Sequence, residues 1–296
     1  MIRFPIKLNE LSDRIEQHKP GWLRRAADRT RMIREEGRYD ETSSIWSEVK
    51  AVYMRLQGNE CAYCERTLEP ETYGLVEWDV EHFRPKGRIS AWDPPDGLSL
   101  LGVAPVPVPA SNAGYYRLAY HPFNYCACCK PCNSSLKGAR FPVEEAYCLD
   151  GESPRRMVAD EHPYLIYPLG SVDVDPETLI EFHGLSPRAK KRRRWSRRRA
   201  LVVIAFFRLD DASGRKNLFR ERARLLQVVY PQLVKESDQA MSAQERRRAT
   251  ELLSRFTADD SAHANCVRSF VRLFRSNPDR ARLLTEATEA WFLTVS

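Results

Sequence analysis

Leu75-Val-Glu-Trp-Asp-Val-Glu-His-Phe-Arg-Pro-Lys-Gly87 lies between two cysteine pairs, Cys61-Ala-Tyr-Cys64 and Cys129-Lys-Pro-Cys132. Val76, Trp78 and Val80 alternate with Glu77, Asp79 and Glu81, the period-two pattern of a half-buried strand. Pro85 and Gly87 end it, so Glu81 and His82 fall where strand gives way to loop, a common place for functional side chains. Each C-x-x-C spacing lets both sulfurs face one centre, and the two pairs supply four thiolates for one tetrahedral ion. Cys61, Cys64, Cys129 and Cys132 are therefore expected to hold a structural Zn²⁺. Cys126-x-x-Cys129 has the same spacing and leaves the ligand choice open, with no role assigned to Cys126 or Cys128. Cys148 and Cys266 are isolated and read as small buried hydrophobes. A disulfide framework is not expected in a 296-residue chain that opens Met1-Ile2-Arg3-Phe4-Pro5 without a signal-peptide pattern. A redox dithiol is the other use of C-x-x-C, but it does not explain two pairs flanking a cluster of polar residues.

Outward from this frame, Gly97 to Asn112 is rich in Pro and small residues and reads as an irregular insertion. Order returns at Tyr115-Tyr-Arg-Leu-Ala-Tyr-His-Pro-Phe-Asn124, and the second knuckle runs into Asn133-Ser-Ser-Leu-Lys-Gly138. Pro131 and the polar residues after it suit the first turn of a helix. Hydrolysing a phosphodiester needs a deprotonated water, a counter-charge for the developing phosphorane and help for the leaving oxygen. A neutral imidazole suits the water, and His82 is the candidate base. Glu81 offers a carboxylate beside it and Asn133 an amide oxygen; Asp79 is the second choice of carboxylate, on the same strand face as Glu81. Arg84, Lys86 and Lys137 are candidate phosphate clamps and could equally be surface charges. His121, His162 and His183 have no motif around them and read as structural.

The order C-x-x-C, Glu-His-x-x-Pro-Lys, Asn124, C-x-x-C-Asn-x-x-x-Lys-Gly resembles the HNH endonucleases with a zinc-stapled ββα-metal core. "CAYCERTL", "VEHFRPKG", "CNSSLKGARFP" and the later "PYLIYP" and "DPETLIEF" look like the HNH nuclease component of Septu and retron-associated antiphage systems. The similarity covers roughly residues 40 to 230. It implies an α+β fold, an HNH core embedded in a mostly helical protein. It also implies catalytic metal ligands Glu81 and Asn133, and an Asn124 that holds the active-site loop by hydrogen bonds. Asn in place of the commoner His after the second knuckle favours the hard ions Mg²⁺ or Mn²⁺ at that site. The resemblance further implies DNA as substrate (RNA remaining open), a role in antiviral defence, and a separate ABC-type or SMC-like ATPase partner. No P-loop occurs in the chain itself.

Three regions are expected: a helical 1–57, the nuclease core 58–145, and a mostly helical 146–296. Tyr164–Tyr167 and Thr178–Phe182 read as short strands, and helical spacing begins at Ser186. The net charge of +7 conceals a local +12 over residues 188–224, leaving the rest at −5. Arg188 to Arg199 holds nine cationic residues in twelve, including Arg192, Arg193 and Arg194, a density suited to nucleic-acid phosphates or to an acidic partner. The longest apolar run, Ala200 to Phe207, is far too short to span a membrane, so a cytoplasmic protein is expected. The alternative to a nuclease is a non-catalytic, zinc-containing nucleic-acid-binding or adaptor protein.

Overall fold

The computed structural model describes residues 1–74, 77–103, 108–190 and 194–294. The expectations for Val76, Arg192 and Arg193, and part of the Gly97–Asn112 stretch, lie outside the described residues. The chain is α+β. Its helices are α1 (Leu8–His18), α2 (Trp22–Glu36), α3 (Lys50–Leu56), the short α4 (Glu71–Gly74) and α5 (Asp96–Leu100), and α6 (Pro154–Glu161). They continue with α7 (Arg194–Phe206), α8 (Lys216–Ser237), α9 (Ala243–Phe256), α10 (Ala264–Ser276) and α11 (Pro278–Thr294). Two small antiparallel sheets pair β1 (Trp78–His82) with β2 (Tyr125–Cys129), and β3 (Ile180–His183) with β4 (Ser186–Ala189).

The central unit is the β1–β2 ribbon followed directly by a wide, π-type helix, Pro131–Lys137. Glu81 lies opposite Cys126 and Asp79 opposite Cys128, so the two acids and these two cysteines share one face of the ribbon. Two strands alone are marginal in water, and this pair is closed on its free edge by a side chain. Gln57, at the end of α3, donates to Ala127 O and accepts from Ala127 N, both at 2.8 Å, as a third strand would. Behind the ribbon, Trp22, Tyr53, Trp78 and Tyr125 are fully buried. One continuous apolar cluster runs from residues near the amino end, such as Phe4 and Leu11, through the ribbon to α10.

Two local expectations meet a different outcome. Tyr164–Tyr167 is buried but irregular, not a strand. Its backbone polar groups are met by a buried ion pair: Arg199 donates to Tyr164 O (3.3 Å) and Leu165 O (2.5 Å), and Asp173 accepts from Tyr167 N (3.0 Å). A segment whose carbonyls are already satisfied by side chains has no need of a ladder. Ser186–Ala189 is a strand, and helix α7 takes over by Arg194. Among the described residues no helix is long and apolar enough to cross a membrane.

Candidate metal centre and polar cluster

Cys61 and Cys64 sit on a tight turn that packs against β2, with Ala62 N donating to Ala127 O (3.1 Å) and Glu65 N to Cys61 O (3.0 Å). Glu65 carries a left-handed backbone (φ +60°), which turns the chain away after the second thiol. Cys129 ends β2 and Cys132 lies in the first turn of the Pro131–Lys137 helix. All four thiols are buried, and their sulfurs lie within 4.8 Å of one another. The Cys64 and Cys129 sulfurs are 3.8 Å apart. Tetrahedral Zn–S bonds of about 2.3 Å give an edge of about 3.8 Å, so the cluster fits one zinc. Cys129 N donates to the Cys61 sulfur at 3.4 Å, and both terminal nitrogens of Arg215 stand 3.6 Å from the Cys132 sulfur, two contacts that favour thiolate charge. The open choice of ligands is thereby narrowed: Cys126 and Cys128 lie outside the four-sulfur cluster. Burial pushes both of their thiols up, as expected of protonated core side chains.

His82 ends β1, 8 % exposed, with its ring edge-on to Trp46 and Tyr125. Its Nε2 lies 3.1 Å from Ala119 O. A carbonyl only accepts, so Nε2 carries the proton and Nδ1 is the basic nitrogen. Burial first, then the charges of Lys86 and Lys137, hold the imidazole well below its usual range, and it is neutral at pH 7. Glu81, 4 % exposed, is ion-paired with Lys137, which also donates to His82 O at 3.0 Å. Burial raises the Glu81 carboxyl despite the Lys137 charge beside it. Asn133 donates to Asp79 at 3.0 Å, and Lys130 lies 3.4 Å from the same carboxylate. The resemblance implies Asn133 beside Glu81 as metal ligands; its hydrogen-bond partner here is the second-choice acid, Asp79. Asn124 is buried and locks the turn after β1: its Oδ1 accepts from Arg84 N (2.8 Å) and its Nδ2 donates to Arg84 O and Leu118 O (3.1 Å each).

Of the three candidate phosphate clamps, two are buried in ion pairs. Lys137 is fully buried on Glu81. Lys86 is half-buried, its ammonium 5.0 Å from the Trp46 ring centre and 5.1 Å from that of Tyr39. Arg84 is completely buried, bonded through Nε to Glu161 at 2.9 Å and ringed by Phe83, Tyr115 and Phe141. It joins the loop after β1 to α6 and cannot meet a phosphate. Removing one partner of such a pair leaves a charge stranded in the core, so Glu161→Ala should cost about 3–5 kcal/mol, read as a lowered urea midpoint. An unchanged midpoint would show that the pair carries no such burden.

The basic run divides in the same way. Arg194, at the start of α7, is exposed. Arg198 is bidentate to Glu144 (2.7 and 2.9 Å), and Arg199 to Asp173 (2.8 and 2.6 Å) inside the core. Arg199 is an internal strut and Arg198 a half-buried one, each committed to a carboxylate. Sequence reasoning missed Gln57, Arg215 and the Ala119 carbonyl. The first two are single polar residues without a pattern, and a carbonyl acceptor has no side-chain signature at all.

Against known proteins, the chain is 29 % identical over 135 residues to Septu protein PtuB of Bacillus mycoides (strain KBAB4), covering 45 % of this chain and 38 % of that protein. The chain thus aligns with well under half the length of this relative. No family model and no solved structure matches it.

Proposed function

We propose that the chain is a metal-dependent endonuclease of the HNH type that hydrolyses DNA and serves antiphage defence beside a separate ATPase. One observation carries the chemistry. A neutral imidazole, its tautomer set by Ala119 O, ends a strand whose two acids are tied to the helix of a four-cysteine knuckle. In this reading His82 Nδ1 takes a proton from water as its oxygen attacks phosphorus. The P–O3′ bond breaks, and the 3′ oxygen leaves with a proton from solvent. Asp79, Glu81 and Asn133 offer hard oxygen donors that suit Mg²⁺ or Mn²⁺, which when bound would counter charge on the phosphate oxygens. Asn124 keeps the His82–Arg84 turn in place, and Lys137 holds Glu81. The defence role and the ATPase partner rest on the similarity to Septu protein PtuB and on the motifs that resemble that family.

The test is incubation of supercoiled plasmid and of RNA with the purified protein, with and without its partner ATPase, in Mg²⁺ or in excess chelator. Nicked or linear DNA in Mg²⁺ alone is the expected result. Cleavage that persists in chelator would remove the Mg²⁺ mechanism. Inert protein under every condition would favour the adaptor reading.

A further inference from the structure

The second half of the basic segment converges on a cavity that the proposed chemistry does not use. About 380 Å³ in volume, it lies between the first knuckle, the Pro131–Lys137 helix and the α7–α8 turn. Arg66, Arg208, Arg215 and Lys216 line it, with Ser135 and Asn217, and no carboxylate is among the lining residues. Four cations without a lining acid make a site that attracts negative charge.

Arg208 and Lys216 are exposed and have no side-chain partner among the described residues. Arg66 is 3.8 Å from Glu221, and its Nε is buried without a hydrogen-bond partner. Arg215 is engaged through Phe207 O (2.6 Å) and the Cys132 sulfur. The 22-residue helix α8 begins at the cavity with no side-chain cap and no acid in its first turn, so its positive end adds to the field.

The cavity also has a defined relation to the catalytic face. In the Pro131–Lys137 helix, Asn133 and Lys137 turn to Asp79 and Glu81, while Pro131, Ser135 and Leu136 turn to the cavity. One short helix therefore separates the two.

We propose that this cavity binds a phosphate group of the nucleic-acid substrate, away from the scissile one. The reading deepens the proposed function and rests on it for the identity of the ligand. Phosphate oxygens match the donors present: guanidinium forks, an ammonium and a hydroxyl. Arg208 and Lys216 supply the free charge, Arg66 a buried donor, and Arg215 couples the cavity to the thiolate cluster.

The test uses the full-length His82→Ala protein, so that cleavage does not interfere, and a fluorescein-labelled DNA duplex followed by anisotropy across a salt series. Arg208→Gln with Lys216→Gln should weaken binding by about tenfold and lower the salt slope by about one, for the one phosphate no longer neutralised. Arg248→Glu, an exposed change on α9 outside the cavity, should leave both unchanged. Millimolar pyrophosphate should compete with the duplex in the parent and not in the double variant. Competition by pyrophosphate without any loss of duplex affinity in the double variant would mark a site for free phosphates and overturn the assignment to substrate. Unchanged affinity, slope and competition would overturn the site altogether, even if the plasmid assay had borne out the nuclease. A binding loss in the double variant of a protein that cuts nothing would leave the cavity standing and remove the nuclease reading.

Discussion

His82→Ala should abolish plasmid cleavage, lowering the rate by about 10²–10⁴-fold, while the protein keeps its fold and the zinc expected at the four thiols. The size follows from general base catalysis. The ring nitrogen available for the proton is Nδ1, because Ala119 O claims the Nε2 proton. His82→Gln is the informative companion, since its amide can still donate to Ala119 O but has no basic nitrogen near neutrality; it should be as dead as alanine. The pH profile separates a base from a merely structural histidine. Burial and the lysine charges hold the ring well below the usual histidine range, so the basic form dominates at neutral pH. A rate that is level around neutrality, with its acid limb below the ordinary histidine midpoint of about 6.5, is expected. A limb centred on the ordinary midpoint would mean that some other, unperturbed histidine limits the rate. Full activity in both variants would remove His82 from the chemistry.

Lys137 gives that result its context. Its ammonium occupies the Glu81 carboxylate, the group that the family resemblance implies as a metal ligand. The same ammonium bonds His82 O, so one buried lysine braces both residues at the end of β1. Side chains of adjacent strand residues point to opposite faces. Glu81 accordingly turns to the Pro131–Lys137 helix and His82 to Trp46 and Tyr125. The lysine spans the strand's end that these two side chains leave.

What could be read from residue order was the frame. The C-x-x-C spacings named the four clustered thiols, the alternation around Trp78 named β1, and Pro131 named the start of the helix that follows. These are local signals, carried by residues within one turn or one pleat of each other. The partners of long polar side chains are not local. Arg84 meets Glu161 across 77 residues, Lys137 meets Glu81 across 56, and Arg198 meets Glu144 across 54. A run of cations says that charge is present, not which members face water. Arg199 lies within the densest stretch of that run and is nonetheless the most deeply buried strut of the Tyr164–Tyr167 segment. Asn133 shows the same limit at closer range: its place after Cys132 was legible, but its choice of Asp79 over Glu81 depends on how the wide helix lies on the ribbon.

Removal of the zinc expected at the four thiols should unfold the central unit outright. Structural zinc contributes on the order of 10–16 kcal/mol of apparent binding energy in small zinc domains, comparable to or above the whole stability of an ordinary domain. Here the dependence is sharpened by position. Cys61 and Cys64 hold the turn that caps β2, Cys129 ends β2, and Cys132 anchors the helix that carries Asn133 and Lys137. Without the ion, four thiols are packed within 4.8 Å of one another, with Arg215 and the Cys129 amide as polar neighbours. Burial opposes ionisation at Cys64, but the sulfur contacts of Cys129, Cys132 and Cys61 and the Arg215 charge hold it below the usual thiol range, while Cys61 and Cys132 are pushed up. Metal analysis should find about one zinc per chain, released only as the protein unfolds, and Cys64→Ser or Cys129→Ser should yield metal-free, misfolded protein. Cys128→Ala, on the acid-bearing face of the ribbon and outside the cluster, should keep the zinc. Folded, metal-free wild-type protein with an undiminished melting temperature would overturn the zinc assignment. A redox dithiol would instead show reversible oxidation of one C-x-x-C pair with no metal bound.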